Sequence, residues 1–276
     1  MDRIAVVSDV HGNLTAYEAV LADIDARGIT RILNLGDFIG KGPRGADVIE
    51  LSRDRCEVNV RGNWDDFIPG DPASLSESSR WWRDELKPEQ LPWLATLPLS
   101  HDLLMSGRWV RLFHASASSV HTRVRHAHTS AEFDGMFANT DLTGDGPRPT
   151  VVGYGDIHDT YLEVRDGRTL FNVGSVGNAL DEPTAAYVVL EGVVGSQAPA
   201  PFGIGFVRVP YDVEAEIAVA TERGMPELEE YAVELRDGLY RGVWRGVGRD
   251  VVRGVQRSTA TDDRPPKPVT PGRRSS

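Results

Sequence analysis

The chain has 276 residues, of which 40% are hydrophobic and 26% charged, enough to bury a sizeable core and inconsistent with wholesale disorder. Forty-one acidic against 30 basic residues give a net charge of −11, which opposes non-specific capture of duplex DNA and requires local cations, divalent metals among them, if the substrate is phosphorylated. One cysteine, Cys56, excludes an internal disulfide and a thiolate zinc cluster; with no apolar run near the ~18 residues of a membrane span and no basic-then-hydrophobic leader, a cytoplasmic protein without membrane attachment is expected.

Arg3 to Asp9 is a short β-rich apolar run, continuous enough for a strand covered on both faces. It hands Asp9 and His11 to a loop. Leu14, Tyr17, Val20, Leu21 and Ile24 recur at helical spacing, with Gly28 placed to end the helix. Ile32 to Leu35 is the next strand, and a β-α-β opening is normally a right-handed parallel crossover, so Asp9 and Asp37 are expected at the same C-terminal edge. Residues 45–51 predict a second helix, and Glu57 to Val60 a third strand running into Gly62-Asn63-Trp64-Asp65. This strand, polar loop, helix grammar is that of an α/β protein.

The pattern breaks near 69–98, read as a helical insertion over one edge of the site, with at least two of Trp81, Trp82 and Trp93 in the core. Leu103 to Met105, a Ser106-Gly107 turn and Trp109 to Phe113 predict a hairpin ending at His114. His121, His126 and His128 follow without a matching carboxylate and read as exposed. Thr150 to Gly153 predicts a strand leading to Asp156 and His158, and an Asp166-Gly167 turn predicts another hairpin. Further strands are expected at Ala185 to Leu190 and Phe206 to Val209, then helices near 212–223 and 226–237. One domain over 1–257 and a disordered tail over 258–276 complete the reading.

Asp9, His11, Asp37, Asn63, His114 and His158 thus recur where strand-like runs end. Two divalent ions about 3.5 to 4 Å apart need a shared carboxylate and further hard oxygen or imidazole ligands, which this set supplies with Asp37 as the shared group.

The same residues resemble a known family, the calcineurin-like metallophosphoesterases, especially their compact bacterial and archaeal phosphodiesterase branch, over residues 3–190. Asp9-Val10-His11-Gly12-Asn13 is similar to the first motif, Gly36-Asp37 with Gly40 and Gly42 to the second, and Gly62-Asn63-Trp64-Asp65 to the third. His114 is similar to the isolated histidine of the fourth motif. Gly155-Asp156-Ile157-His158 occupies the place of Gly-His-x-His, and Asn172 to Gly177 resembles the closing Asn-Pro-Gly-Ser loop. The resemblance implies an α/β fold, a two-sheet β-sandwich flanked by helices. It implies a first metal on Asp9, His11 and His158, a second on Asn63, His114 and Asp156, and Asp37 bridging. Asp37, Asn63 and Asp65 form the implied catalytic set. The implied cofactors are two divalent ions, manganese first, with magnesium, iron, zinc or nickel as alternates, and the implied chemistry is attack on phosphorus by a metal-bridging hydroxide.

Two positions depart from the family. Asp156 stands for a histidine and lowers the site's charge by one, which is expected to move metal preference toward manganese, magnesium or iron. Trp64 stands for the third-motif histidine, and indole is no general acid at ordinary pH. The leading expectation is a phosphodiesterase acting on a small phosphorylated substrate, without duplex nucleic acid or membrane and with a homo-oligomer left open. The alternative is a metal-binding regulatory or scaffold protein on the same fold. Lys41, Arg44 and Arg61 lie near the motifs and are read first as solvated surface charges.

Overall fold

Side-chain alternation along the first strand, β1 (Asp2–Val7), sets the layers: Ile4 and Val6 join one hydrophobic cluster, Ala5 and Val7 another, as a strand covered on both faces requires. The computed structural model describes residues 1–244; the expected boundary at 257 and the tail over 258–276 lie outside the described residues. Helix α1 (Leu14–Ala26) is capped by Asn13, whose side chain accepts from the Ala16 N–H, and Gly28 follows it at φ +65°, the left-handed turn that ends a helix. Strand β2 (Arg31–Asn34) returns parallel to β1. Helix α2 (Gly45–Arg55) and the short β3 (Val58–Asn59), parallel to β2, repeat the unit.

After α3 (Asn63–Phe67), the segment read as an insertion holds a 3-10 turn at Pro72–Ser74, then α4 (Glu77–Asp84) and α5 (Gln90–Thr96). Trp82 is fully buried there, while Trp81 and Trp93 pack against core clusters from partly buried positions. The hairpin of β4 (Ser100–Met105) and β5 (Arg108–Phe113) opens the second sheet. Helix α6 (Ser130–Met136), β6 (Val151–Tyr154) and the hairpin of β7 (Thr160–Arg165) and β8 (Arg168–Val173) continue it. The chain then returns to the first sheet as β9 (Ala185–Gly192) and β10 (Gly203–Val209), and the described residues close with α7 (Val213–Glu222), α8 (Leu228–Asp237) and α9 (Arg241–Trp244).

Two five-stranded mixed sheets result, ordered β10-β9-β1-β2-β3 and β4-β5-β6-β8-β7. They face each other across Ile4, Val6, Leu33 and Leu35 on one side and Val110, Leu112, Phe171 and Val173 on the other. Helices cover the outer faces: α1 and α2 pack on the first sheet and α6 on the second. Within each sheet three strands run parallel, β1, β2 and β3 in one and β5, β6 and β8 in the other. The loops that follow these six strands meet at one edge.

The insertion is fastened at Glu85, just past α4, which accepts a hydrogen bond from the Gly45 N–H at 2.9 Å. Burial pushes this carboxyl up to about 7, against the opposing pull of the Gly45 N–H. A folded-state pKa above the unfolded value contributes stability below pH 4.5 that is lost as pH rises through about 7. Glu85→Gln should therefore lose about 2–3 kcal/mol less stability than the parent between pH 5 and 8. Urea unfolding at the two pH values measures this; equal losses in both proteins would show that Glu85 ionises without cost.

Candidate metal centre

The loops after β1 and β2 ride on one another. The Asp9 N–H donates to Gly36 O, the His11 N–H to Asp37 O and the Gly12 N–H to Phe38 O, all at 2.8–2.9 Å. The backbone around the site is unusual: Asp9, His11, Asp37, Asp156 and His158 have φ between 49° and 65°. They are five of the nine non-glycine residues in that region among the described residues. Such conformations cost free energy and persist where the surroundings impose them, which is common at functional sites.

Each buried histidine is oriented by a backbone carbonyl. Nδ1 of His11 lies 3.1 Å from Ile39 O, Nδ1 of His114 3.0 Å from Leu35 O, and Nδ1 of His158 2.5 Å from Asn178 O. A carbonyl only accepts, so Nδ1 carries a proton in each ring and Nε2 is turned inward. The carboxylates divide their oxygens in the same way. Asp37 Oδ1 accepts from the Trp64 N–H at 2.9 Å, leaving Oδ2 at 3.4 Å from His11 Nε2 and 3.5 Å from His114 Nε2. Asp9 Oδ2 accepts from the Asp156 N–H at 3.0 Å, leaving Oδ1 at 3.3 Å from His158 Nε2.

This arrangement fits a divalent cation. His11 Nε2 and His158 Nε2 confront each other at 3.2 Å, and Asp9 Oδ1 is buried without a hydrogen-bond partner among the described residues. Acceptors turned on one another in this way are stabilised by a positive charge between them. Two overlapping groups have metal-ligating spacing, Asp9 with His11 and His158, and Asp9 with Asp37 and His114. The electrostatics agree. Burial lowers the affinity of His114 for a proton, but Asp37, Asp9, Asp156 and Asp65 outweigh it and lift the imidazole to about 9. Burial pushes Asp37 well above the usual carboxylate range, with His114 opposing it. A metal cation would take the place of the proton these groups attract.

The remaining expected residues fall around this core. Asn63 Oδ1 lies 3.2 Å from His114 Nε2. The Asp156 carboxylate reaches within 4.0 Å of the same nitrogen, and it is also held by Arg123, which sequence reasoning missed because no motif flags the polar segment before α6. Asp65, expected in the catalytic set, has its carboxylate engaged by backbone groups. It is fully buried, and its carboxylate accepts from the N–H groups of Asp37, Phe38 and Gly62 at 2.7, 3.1 and 2.9 Å. It is a positioning residue that staples the second loop to the third.

Other expectations are corrected. Lys41 is buried rather than solvated, and its Nζ donates to Asn178 Oδ1 at 2.8 Å; burial brings its pKa down to about 8. Arg44 pairs with buried Glu216, and Arg61 with Asp66. His121, His126 and His128 do have carboxylate partners, in Asp66, Asp159 and Glu163, and the His128 side chain is only 1% exposed. These carboxylates lie 33 to 55 positions away in the chain, so local sequence did not reveal them. A cavity of about 830 Å³ opens beside the centre, bordered by Asp37, Trp64, Arg123, Asp156 and His158, with a far wall formed by residues 238–243.

The family model for the calcineurin-like phosphoesterase superfamily domain matches residues 2–193. The chain belongs to this superfamily. The chain is 32% identical to the Methanocaldococcus jannaschii protein MJ0912 over 239 residues, 81% of this chain and 94% of that one. Among solved structures, a metallophosphoesterase from Sphaerobacter thermophilus superposes with a TM-score of 0.65 at 27% identity, covering 86% of this chain and 99% of that one. Protein PH1004 from Pyrococcus horikoshii OT3 superposes with a TM-score of 0.68 at 16% identity, covering 87% and 100%, and so shares the fold. The superfamily binds divalent metals, in keeping with the Asp and His groups found here.

Asp65→Asn tests the staple. An amide offers one acceptor oxygen where the carboxylate serves three N–H donors, and its NH2 would face one of them. The variant should lose about 2–4 kcal/mol of stability, read by urea unfolding. Parent-like stability would mean that the three bonds do not hold the loops.

Proposed function

We propose that this chain is a dinuclear-metal phosphodiesterase, with Asp9, His11 and His158 holding one divalent ion, Asn63, His114 and Asp156 the other, and Asp37 shared. The observation that carries this reading is the position of Asp37 Oδ2, nearly equidistant from His11 Nε2 and His114 Nε2 while its partner oxygen is fixed by the Trp64 N–H. The oxygen-rich donor set favours manganese, with magnesium, iron, zinc or nickel as alternates. When bound, such ions make a nucleophilic oxygen available near neutral pH and offset charge on the phosphoryl group.

The chain's own residues set the substrate. The cavity is larger than one phosphate needs and leaves room for groups on both sides of phosphorus. A phosphodiester carries one negative charge where a monoester carries two, which suits a protein of net charge −11. Trp64 packs edge-on to His11, with ring centroids 5.8 Å apart, and walls the cavity without supplying a proton to a leaving group. Turnover of an aryl phosphodiester with added manganese tests the proposal; bound metal without turnover of any diester would favour the scaffold reading.

Two variants probe the assignments. Asp37→Asn should abolish activity and lower metal content from two ions per chain, since a neutral amide cannot serve two cations; elemental analysis showing two retained ions would remove Asp37 from the shared position. With no proton donor at Trp64, the rate should depend steeply on leaving-group acidity, fast for aryl and slow for alkyl diesters. Trp64→His should flatten that dependence across a graded series of diesters, and a shallow dependence in the parent would mean that another acid serves.

A further inference from the structure

Arg123 reaches the centre from the segment between β5 and α6. Its Nε and Nη2 donate to Asp156 Oδ2 and Oδ1 at 2.9 and 2.8 Å, the parallel two-bond match of a guanidinium to a carboxylate. Asp156 is 4% exposed and is fixed from behind by its own N–H bond to Asp9 Oδ2. Oδ1 lies 4.0 Å from His114 Nε2. A carboxylate oxygen accepts at two lone pairs, so the bond from Arg123 leaves Oδ1 one lone pair for the Asp37 and His114 face. The pairing also changes the charge of the site. Asp9, Asp37, Asp65 and Asp156 are all buried; the first three are bonded to backbone N–H groups, whereas Asp156 is bonded to a full cation.

We propose that Asp156 and Arg123 act as one neutral ligand unit, with Arg123 as a positioning residue that aims Asp156 Oδ1 at the second ion and cancels its charge. The unit gives that ion an oxygen donor with no more net charge than an imidazole. This rests on the two-ion reading above. It has a consequence that a simple ligand role for Asp156 lacks: position 156 can be exchanged for histidine only if the guanidinium leaves with the carboxylate, because an unpaired Arg123 would repel the divalent ion.

The test is calorimetric titration of the metal-stripped full chain with Mn2+, supported by elemental analysis and by melting temperatures with and without the metal. A parent chain that binds no metal overturns the two-ion reading itself, before any variant is made. With two ions in the parent, Asp156→His should weaken the second by about tenfold or more, and adding Arg123→Met to it should restore affinity to within about threefold of the parent. Arg123→Met alone should lower the Tm of the stripped chain by several degrees, and Mn2+ should recover the loss because the ion then neutralises Asp156. Arg123→Lys keeps the charge without the fork, so it should keep a Tm near the parent's yet weaken the second ion. The proposal is overturned if Asp156→His binds the second ion as tightly as the parent. It is likewise overturned if the double variant is no better than Asp156→His, or if Mn2+ fails to restore the Tm of Arg123→Met.

Discussion

The centre depends on carboxylates that divide their two oxygens between a backbone N–H of a neighbouring loop and the interior of the site. Asp9 takes the Asp156 N–H and turns its other oxygen inward; Asp37 does the same with the Trp64 N–H. Asp65 devotes its whole carboxylate to N–H groups. A hydrogen bond to a charged group contributes about 1.5–3 kcal/mol, and a buried charge without one is costly. These side chains therefore stitch the loops together while keeping oxygen atoms ready for a cation. The loop after β6 is tied to β1, and the loop after β3 to β2, so the two sheets are joined at the site as well as through their shared core.

The histidines follow the same logic with opposite polarity. Each gives Nδ1 to a backbone carbonyl of a loop and presents Nε2. Left-handed backbone at Asp9, His11, Asp37, Asp156 and His158 is the structural cost, and the loop-to-loop N–H bonds offset it. Two glycines show how tightly the loops are packed. A Cβ on Gly62 would lie 2.2 Å from Asp37 Oδ1, and one on Gly177 would lie 1.8 Å from Val10 O, so neither position admits a side chain without moving a loop that carries ligands.

Trp64 and residues 238–243 border the cavity beside the centre. The indole lies over Gly40, where a Cβ would meet its ring at 2.1 Å, and stacks edge-on to Trp82 with centroids 5.4 Å apart. Its place is thus built into the second loop and the insertion. Opposite it, Glu234 of α8 binds Asn178 and Arg241, and Asn178 in turn binds Lys41. Through this buried chain of charges the segment after the matched family region supplies the far wall of the cavity.

Sequence alone determined most of the strand and helix order, though not α6, the parallel openings, and most of the inward-facing set, because these side chains sit a few residues beyond apolar runs whose period and glycine punctuation are local signals. Asp9, His11, Asp37, Asn63, His114 and His158 stood out in this way, whereas Asp156 was singled out only by its place in a motif that the chain resembles. Tertiary structure alone decided which oxygen or nitrogen of each points inward, since that depends on N–H and C=O groups far away in the chain. It also decided that Asp65 staples loops, that Lys41 is buried, that His128 is covered, and that Arg123 faces Asp156 across 33 positions. A charged side chain in a polar segment looks solvated until the fold brings its partner to it, and no local pattern in the chain records that meeting.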